Sequence, residues 1–363
     1  MKLLDRQVWV ELVGPFLFGI AAFTSIFFAG NQLQKITNYM LRGMPAYTAL
    51  ELIILALPGI IVLTLPMSTL LAILYGFGRL SSDSEIVALY SSGVSLKRIV
   101  VPVAVLGFVV SVVSFALNES VVPAANRKYD GVVQRALNEP VKRQHALNFV
   151  ERDGDITTQV IVFGGIDAEE GVMRDVTVTQ FRGSKPFIVF NSRTAVRDRN
   201  GGDKWTLHDG HFKTLTPEHT DDVSFKGLKT EKVKIKKTPE EIALEGMHPE
   251  RLSAKQLVSI IRAKKPYGAD TAKLEVGLYN KFALPLASLV FALVALPLGI
   301  RPYRSGASYG MGLSVIIILV YWLMWHYMTS LAAHGGVPPM LGAFSADMAG
   351  VVVGILLIAR APN

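Results

Sequence analysis

Two textures alternate along the chain. At both ends, long apolar runs with almost no charge are separated by short polar intervals, and the middle is charged and strand-like. Leu12–Gly30 carries no charge and few polar atoms beyond Thr24 and Ser25; extended to Leu33 it is long enough, as a helix, to cross the ~30 Å hydrocarbon layer of a bilayer. Leu50–Gly76 is a second such run, with Glu51 near its start and Pro58 and Pro66 inside. Helices in lipid accommodate prolines where neighbours satisfy the freed carbonyls, so bending and close packing are expected there rather than termination. Ile99–Leu117 is the third run, with Pro102 suited to a first helical turn. After the middle region come Phe282–Ile300 with Pro285 inside, Tyr309–Leu331 with His326, and Met340–Ala359 with Asp347. Six transmembrane helices are therefore predicted, three on each side of residues 118–272.

That middle region reads as an all-β domain. TTQVIVFGG, VMRDVTVTQFRG, PFIVFNSRTAVRD and DKWTLHDGHFKTLTP are β-branched or aromatic runs divided by Gly, Asn, Asp and Pro. Val176 and Val178 alternate with Thr177 and Thr179, as in a strand with one buried face. KTEKVKIKKTPEE has the lysines of a protected edge strand. SAKQLVSIIRAKK is helical in period, with Leu257, Ile260 and Ile261 on one face and Ser253 as N-cap. The domains expected are thus 1–117, 118–272 and 273–363.

The most distinctive polar interval in the first half is Gly78–Arg98, GRLSSDSEIVALYSSGVSLKR. Ser84 is placed to cap a short helix, Ile86, Val87, Leu89 and Tyr90 give it apolar surface, and Gly93 is placed to end it. The bland reading is an amphipathic helix resting on headgroups; the functional one is a docking segment with Glu85 as a hook for a basic groove.

Composition supports membrane residence: 50% of the 363 residues are hydrophobic and only 18% charged, with mean hydropathy +0.37. The net charge of +8 suits anionic headgroups or ligands better than nucleic acid. The sequence has no cysteine, which excludes disulfides and thiolate chemistry. The start, MKLLDRQVWVEL, leads into a run too long for a cleaved signal, so an uncleaved first span is expected. Lys2, Arg6, Arg79, Lys97, Arg98, Arg301, Arg304 and Arg360 fall in short segments on one side, against Lys35, Arg42 and His334 on the other. The positive-inside rule then puts both termini in the cytoplasm and the β domain outside.

Lys35 and Arg42 run against that charge trend. Snorkelling explains them as anchors; capture of an anionic headgroup is the functional alternative. Asp347 invites a proton-coupling role but is a lone acid. His208, Asp209, His211 and His219 invite a zinc site, although strand histidines in a polar domain are far more often solvent-facing. No Walker motif and no nucleophile–base spacing is present, so any ATP-driven work needs a nucleotide site on another chain.

The chain resembles the LptF/LptG (YjgP/YjgQ) family of lipopolysaccharide export permeases. The resemblance is carried by LDRQVWVEL, by LPMSTLLAILYGFGRLSSDSEIVALYSSGVSLKRIVVPV, by NESVVPAANRK and by KFALPLASLVFALVALPLGI; the turn GGVPPMLGAF is more like the LptG side. It implies six transmembrane helices with a periplasmic β-jellyroll-like domain, in a bacterial inner membrane. It implies a second permease subunit, a dimer of the cytoplasmic ATPase LptB using ATP and Mg, periplasmic LptC/LptA-like jellyroll partners, and lipopolysaccharide as substrate, with no cofactor on this chain. The family's coupling helix falls on Ser84, Glu85, Ile86, Leu89, Tyr90 and Gly93. Substrate contacts fall on Lys35 and Arg42, with Phe27 and Gln32 beside them. A lateral gate between spans one and five falls on Phe28, Leu33, Val315, Leu319 and Trp322. A permease for another amphipathic lipid and a scaffold displaying a β domain are the alternatives.

Overall fold

The computed structural model describes residues 2–93, 95–137, 147–153, 156–167, 171–183, 185–198, 204–215, 220–225, 231–235, 242, 248–265, 271–300 and 307–360. Two compact units result: a helical one made of 1–129, 249–261 and 270–363, and a β-rich one made of 130–248 and 262–269.

Six helices of the described residues are long and apolar enough to cross a membrane, matching the six runs. The first is longer than its apolar run. Helix α1 (Lys2–Phe27) passes through a π-helical turn, Phe28–Gln32, directly into α2 (Leu33–Leu41). The polar stretch after Gly30 is thus helical rather than a loop, because Ile36 on α2 finds a buried position. Helix α3 (Ala46–Ser82) is continuous through Pro58 and Pro66. Helix α4 (Glu85–Ser91) is the short one, and α5 (Leu96–Ala116) follows. A second π turn, Leu117–Val121, carries α5 into α6 (Val122–Leu137). The first cut of the chain therefore moves from residue 118 to beyond Tyr129, because the helix does not stop where its apolar letters do. On the return, Pro249–Ile261 also belongs to the helical unit and carries most of α7 (Ala254–Lys264). The spans α8 (Ala272–Gly299), α9 (Ala307–Ala333) and α10 (Pro339–Arg360) complete it.

Close helix approaches explain several glycines. A Cβ on Gly107 of α5 would lie 2.7 Å from Cβ of Ala292 on α8, and one on Gly76 of α3 would lie 2.8 Å from Leu12 of α1. Small residues let helix backbones approach in lipid, where dispersion and polar contacts replace the hydrophobic drive. Antiparallel pairing of α1 with α3 brings Thr24 and Thr64 hydroxyls to 3.2 Å.

Among the described residues the β-rich unit holds one antiparallel sheet of eight strands. Strands β1 (Leu147–Asp153), β2 (Ile156–Phe163), β4 (Val172–Arg182), β5 (Lys185–Arg197), β6 (Lys204–Leu215) and β7 (Thr220–Phe225) pair in chain order, β3 (Gly165–Asp167) adds to β4, and β8 (Glu231–Lys234) adds to β6. Ile161, Val178, Phe190 and Phe212 stand in one cross-strand row, and with Met173, Trp205 and Leu207 they belong to an apolar core. The lysine-rich segment proposed as an edge strand supplies β8; residues 226–230 and 236–241 lie outside the described residues.

Candidate functional site

The candidate site has two polar ends on one helical bundle. Contacts place the start of α1, the end of α3, α4, the end of α8 and the start of α9 together: Leu12 lies by Gly76, Phe77 by Gly299, and Leu74 by Gly310. The end of α10 is on this side too, since Gly354 meets Leu293 near the end of α8. This is the inner end of the bundle. The opposite, outer end holds α2, both π turns and α7.

At the inner end, α4 begins and ends on left-handed residues. Ser84 has φ 62° and Gly93 φ 83°. The expected cap on Ser84 is therefore absent: its side chain makes no capping bond, since the left-handed backbone does not present Oγ to the first turn. Gly93 does end the helix, its N–H donating to Tyr90 O at 2.9 Å. Ile86 is 3% exposed within the bundle core, and Leu89 and Tyr90 pack partly buried on the same core. Burial pushes the Tyr90 phenol up from its ordinary value, which keeps it neutral. The outward face is made by Val87, 56% exposed, with Ala88 and Ser91. Glu85, half-buried, accepts a hydrogen bond from Gln7 Nε2 of α1 at 3.4 Å. One helical turn along α1, Glu11 pairs with Arg79 of α3. Glu85 is thus tied to α1, a link the sequence did not announce.

At the outer end, Lys35 is exposed on α2 beside buried Ile36, and Arg42 is exposed at the C-cap of that helix. Gln32 is half-buried in the first π turn, and Phe28 likewise. Phe27 meets Trp322 of α9 with ring centroids 6.4 Å apart, and Trp322 in turn meets Trp325 at 5.0 Å. Leu33, Val315 and Leu319 face outward, more than half of the latter two exposed. Among the gate candidates, Trp322 meets α1 through its ring contact with Phe27.

A residue the sequence reading passed over organises the outer end. Lys281 of α8 is 3% exposed. Its Nζ donates to Asn118 Oδ1 at 3.1 Å and to the Glu250 carbonyl at 3.0 Å. Asn118 and Glu119 lie in the second π turn, and Glu119 accepts from the Ala254 N–H through both oxygens, at 2.9 and 3.1 Å. The segment that receives these bonds is itself capped as expected: Gln256 N–H donates to Ser253 Oγ at 3.3 Å, and Ser253 N–H donates to Gln256 Oε1 at 2.9 Å, a reciprocal capping box. The available signal was a lysine immediately before an apolar run, in YNKFALPL.

Asp347, 2% exposed, accepts from Tyr321 OH at 2.9 Å, while its second oxygen has no hydrogen-bond partner. Its hydrogen bond to Tyr321 on α9 is what the structure adds to this lone acid. In the β-rich unit His211 lies 3.3 Å from Asn191. His208, Asp209 and His211 make no metal-ligating group of three among the described residues, and His219 lies outside them.

These features define a multi-pass helical membrane protein with an inserted antiparallel β unit. The family model "Lipopolysaccharide export system permease LptF/LptG" matches residues 6–360, and the chain belongs to that family. It is similar to lipopolysaccharide export system permease protein LptG of Escherichia coli strain K12, 22% identical over 350 residues, covering 95% of this chain and 93% of that one. It is similar also to LptF of the same organism, 24% identical over 341 residues, covering 92% and 88%. LptG of Haemophilus influenzae is 20% identical over 363 residues, covering 98% of each. The likeness thus extends to both sister proteins at comparable identity.

Proposed function

We propose that this chain is a permease subunit that takes lipopolysaccharide from the outer leaflet of the inner membrane and passes it to a periplasmic carrier, driven by ATP hydrolysed in a separate cytoplasmic subunit with Mg. The inner end is then cytoplasmic and the β-rich unit periplasmic, in line with the excess of basic residues in the inner segments. The observation that carries the reading is α4: a short helix seated on the core by Ile86, Leu89 and Tyr90, with Val87 and Ala88 outward and Glu85 beside α1. A segment anchored on one face and bare on the other suits a partner that pushes it.

In this reading Ile86, Leu89 and Tyr90 transmit force rather than touch the ATPase, and the contact falls on Glu85, Val87 and Ala88. Lys35 and Arg42 pair with the lipid's phosphates, with Phe27 and Gln32 beside them. A second LptF/LptG-type subunit shares the lateral gate formed by α1 and α9, through Phe28, Leu33, Val315, Leu319 and Trp322. LptC/LptA-like jellyroll proteins receive the lipid. The test is co-purification of an ATPase with the chain, followed by ATP-dependent release of lipopolysaccharide from proteoliposomes. Glu85→Arg should remove coupling while the permease still binds lipopolysaccharide. An intact complex that binds the lipid and hydrolyses ATP without releasing it would sink the extraction reading, and release of a different lipid, identified by mass spectrometry, would reassign the substrate.

A further inference from the structure

The contact between α5 and α8 is close along its length. Gly107 sits so close to α8 that a Cβ would meet Ala292 Cβ at 2.7 Å, the Leu289 Cα at 3.1 Å and the Ser288 carbonyl at 3.2 Å. Ser111, Ser114 and Ser288 are buried along the same line. Phe115 and Phe282 stack with centroids 5.3 Å apart. The line ends at the outer end in the Lys281 cluster.

That cluster ties three stretches of chain that are remote in sequence. The Lys281 ammonium has three donors, and two are spent on oxygens of the second π turn and of the Pro249–Arg251 turn. Its acidic neighbours are Glu119 and Glu250, and Glu119 also holds the first N–H of α7. The π turn is what makes this possible. Its wider winding carries Asn118 to α8 and the adjacent Glu119 to α7, so two consecutive side chains serve two different elements. A buried charge is tolerated only when its partners are all in place, and loss of one partner leaves the rest unpaired. Such an arrangement has one low-energy geometry and resists sliding.

We infer that Lys281 is a positioning residue that locks the α5–α8 seam, and that this seam stays shut throughout the transport cycle while the bundle opens elsewhere. Nothing in the family match or in the proposed coupling at α4 assigns this role. The inference rests on the transport reading for the cycle it refers to.

The test uses the full complex in proteoliposomes and exploits the absence of cysteine from the chain. Phe115→Cys and Phe282→Cys together create the chain's single thiol pair, which a short cleavable thiol-specific reagent joins. Lipopolysaccharide released per ATP hydrolysed should stay within about twofold of the unlinked pair, because joining surfaces that never part changes no population. Arrest on linking, reversed by cleavage, would overturn the inference. Lys281→Met should lower release per ATP by about tenfold or more, since two acceptors lose their donor and Glu119 loses its counter-charge. Lys281→Arg should recover part of it, and linking the cysteine pair in the Lys281→Met background should recover most. A simple folding defect predicts no recovery on linking a protein already purified. Wild-type release by Lys281→Met, or a monodisperse Lys281→Met protein that linking leaves inactive, would overturn the assignment. Absence of ATP-dependent release in the unmodified complex would count against the transport reading instead.

Discussion

The two ends of the helical bundle solve the same problem in opposite ways. Both must hold a polar segment against apolar helices. At the inner end the polar contacts seen are half-exposed: Gln7 to Glu85 at 3.4 Å, and Glu11 to Arg79 with the arginine side chain 46% exposed. Apolar packing of Val8, Leu12, Phe77, Leu80 and Ile86 does the holding. At the outer end Lys281, Asn118 and the Glu119–Ala254 bonds are at least partly buried and geometrically specific. Half-exposed ion pairs contribute little and adjust freely, whereas buried ones have a steep cost of rearrangement. An apolar contact that slides and a buried cluster that does not are suited to a moving and a fixed part of one device.

The comparison breaks first, if it breaks, at Lys281. Lys281→Met is expected to destabilise the detergent-solubilised protein by about 3–5 kcal/mol, the usual cost of removing one partner of a buried charged cluster. Loss of monodisperse protein on a temperature ramp measures it. A shift no larger than that of an exposed variant such as Lys35→Met would show that the outer end is as adaptable as the inner one.

Gly107→Leu comes next, at about 3 kcal/mol. Any side chain there must displace Ala292 and the α8 backbone, and overpacking a close helix contact costs about that much. The same ramp reads it, and Gly78→Leu, at a glycine with open space around its missing Cβ, is the control expected to be near neutral.

Glu119→Gln follows at about 1–2 kcal/mol. The amide oxygen still accepts from Ala254, but the charge that strengthened the bond and faced Lys281 is gone. Protection of the Ala254 amide in hydrogen exchange should fall, while amides of α4 stay unchanged; equal loss at both would mean that the two ends are not independent.

What the sequence disclosed of these ends follows from which signals are local. Six apolar runs, four of them free of acids and bases other than a histidine, were plain because hydrocarbon tolerates so few polar letters. Strands β2, β4, β5, β6 and β8 were legible from β-branched runs, lysines and turn residues, whereas β1, β3 and β7 were not singled out. Gly93 as the stop of α4 was legible because a left-handed terminus favours glycine. Ser84 misled for a related reason: a serine before a helix suggests a cap, and only tertiary packing sets its φ at 62°. The helix past Gly30 was hidden because NQLQK looks like a loop until Ile36 is seen to be buried. Leu89 and Tyr90 read as docking surface, yet the core claims them, since a helix of seven residues cannot show which face it buries. Lys281 was least legible of all. Its partners lie 163 and 31 residues away, and no local pattern distinguishes a buried lysine from one that snorkels.

The smallest expected effect is at the inner end, and it is the sharpest test of the contrast. Glu11→Gln removes the charge of the pair with Arg79 while preserving shape. A half-exposed pair is worth less than about 1 kcal/mol, and the glutamine can still accept from the guanidinium, so thermal stability should hardly change. Leu12 remains packed at Gly76, and Val8 stays in the core with Ile86. If that apolar contact carries motion from α4 to α1, ATP-driven lipopolysaccharide release by Glu11→Gln should stay within about twofold of wild type, because the sliding surface is untouched. Leu12→Ala should then be the damaging variant at this end, through the cavity it opens against α3. A reversed order, with Glu11→Gln the more harmful and the charge swap Glu11→Arg with Arg79→Glu restoring release, would make the ion pair the link between α4 and α1. The inner end would then depend on specific polar contacts just as the outer end does.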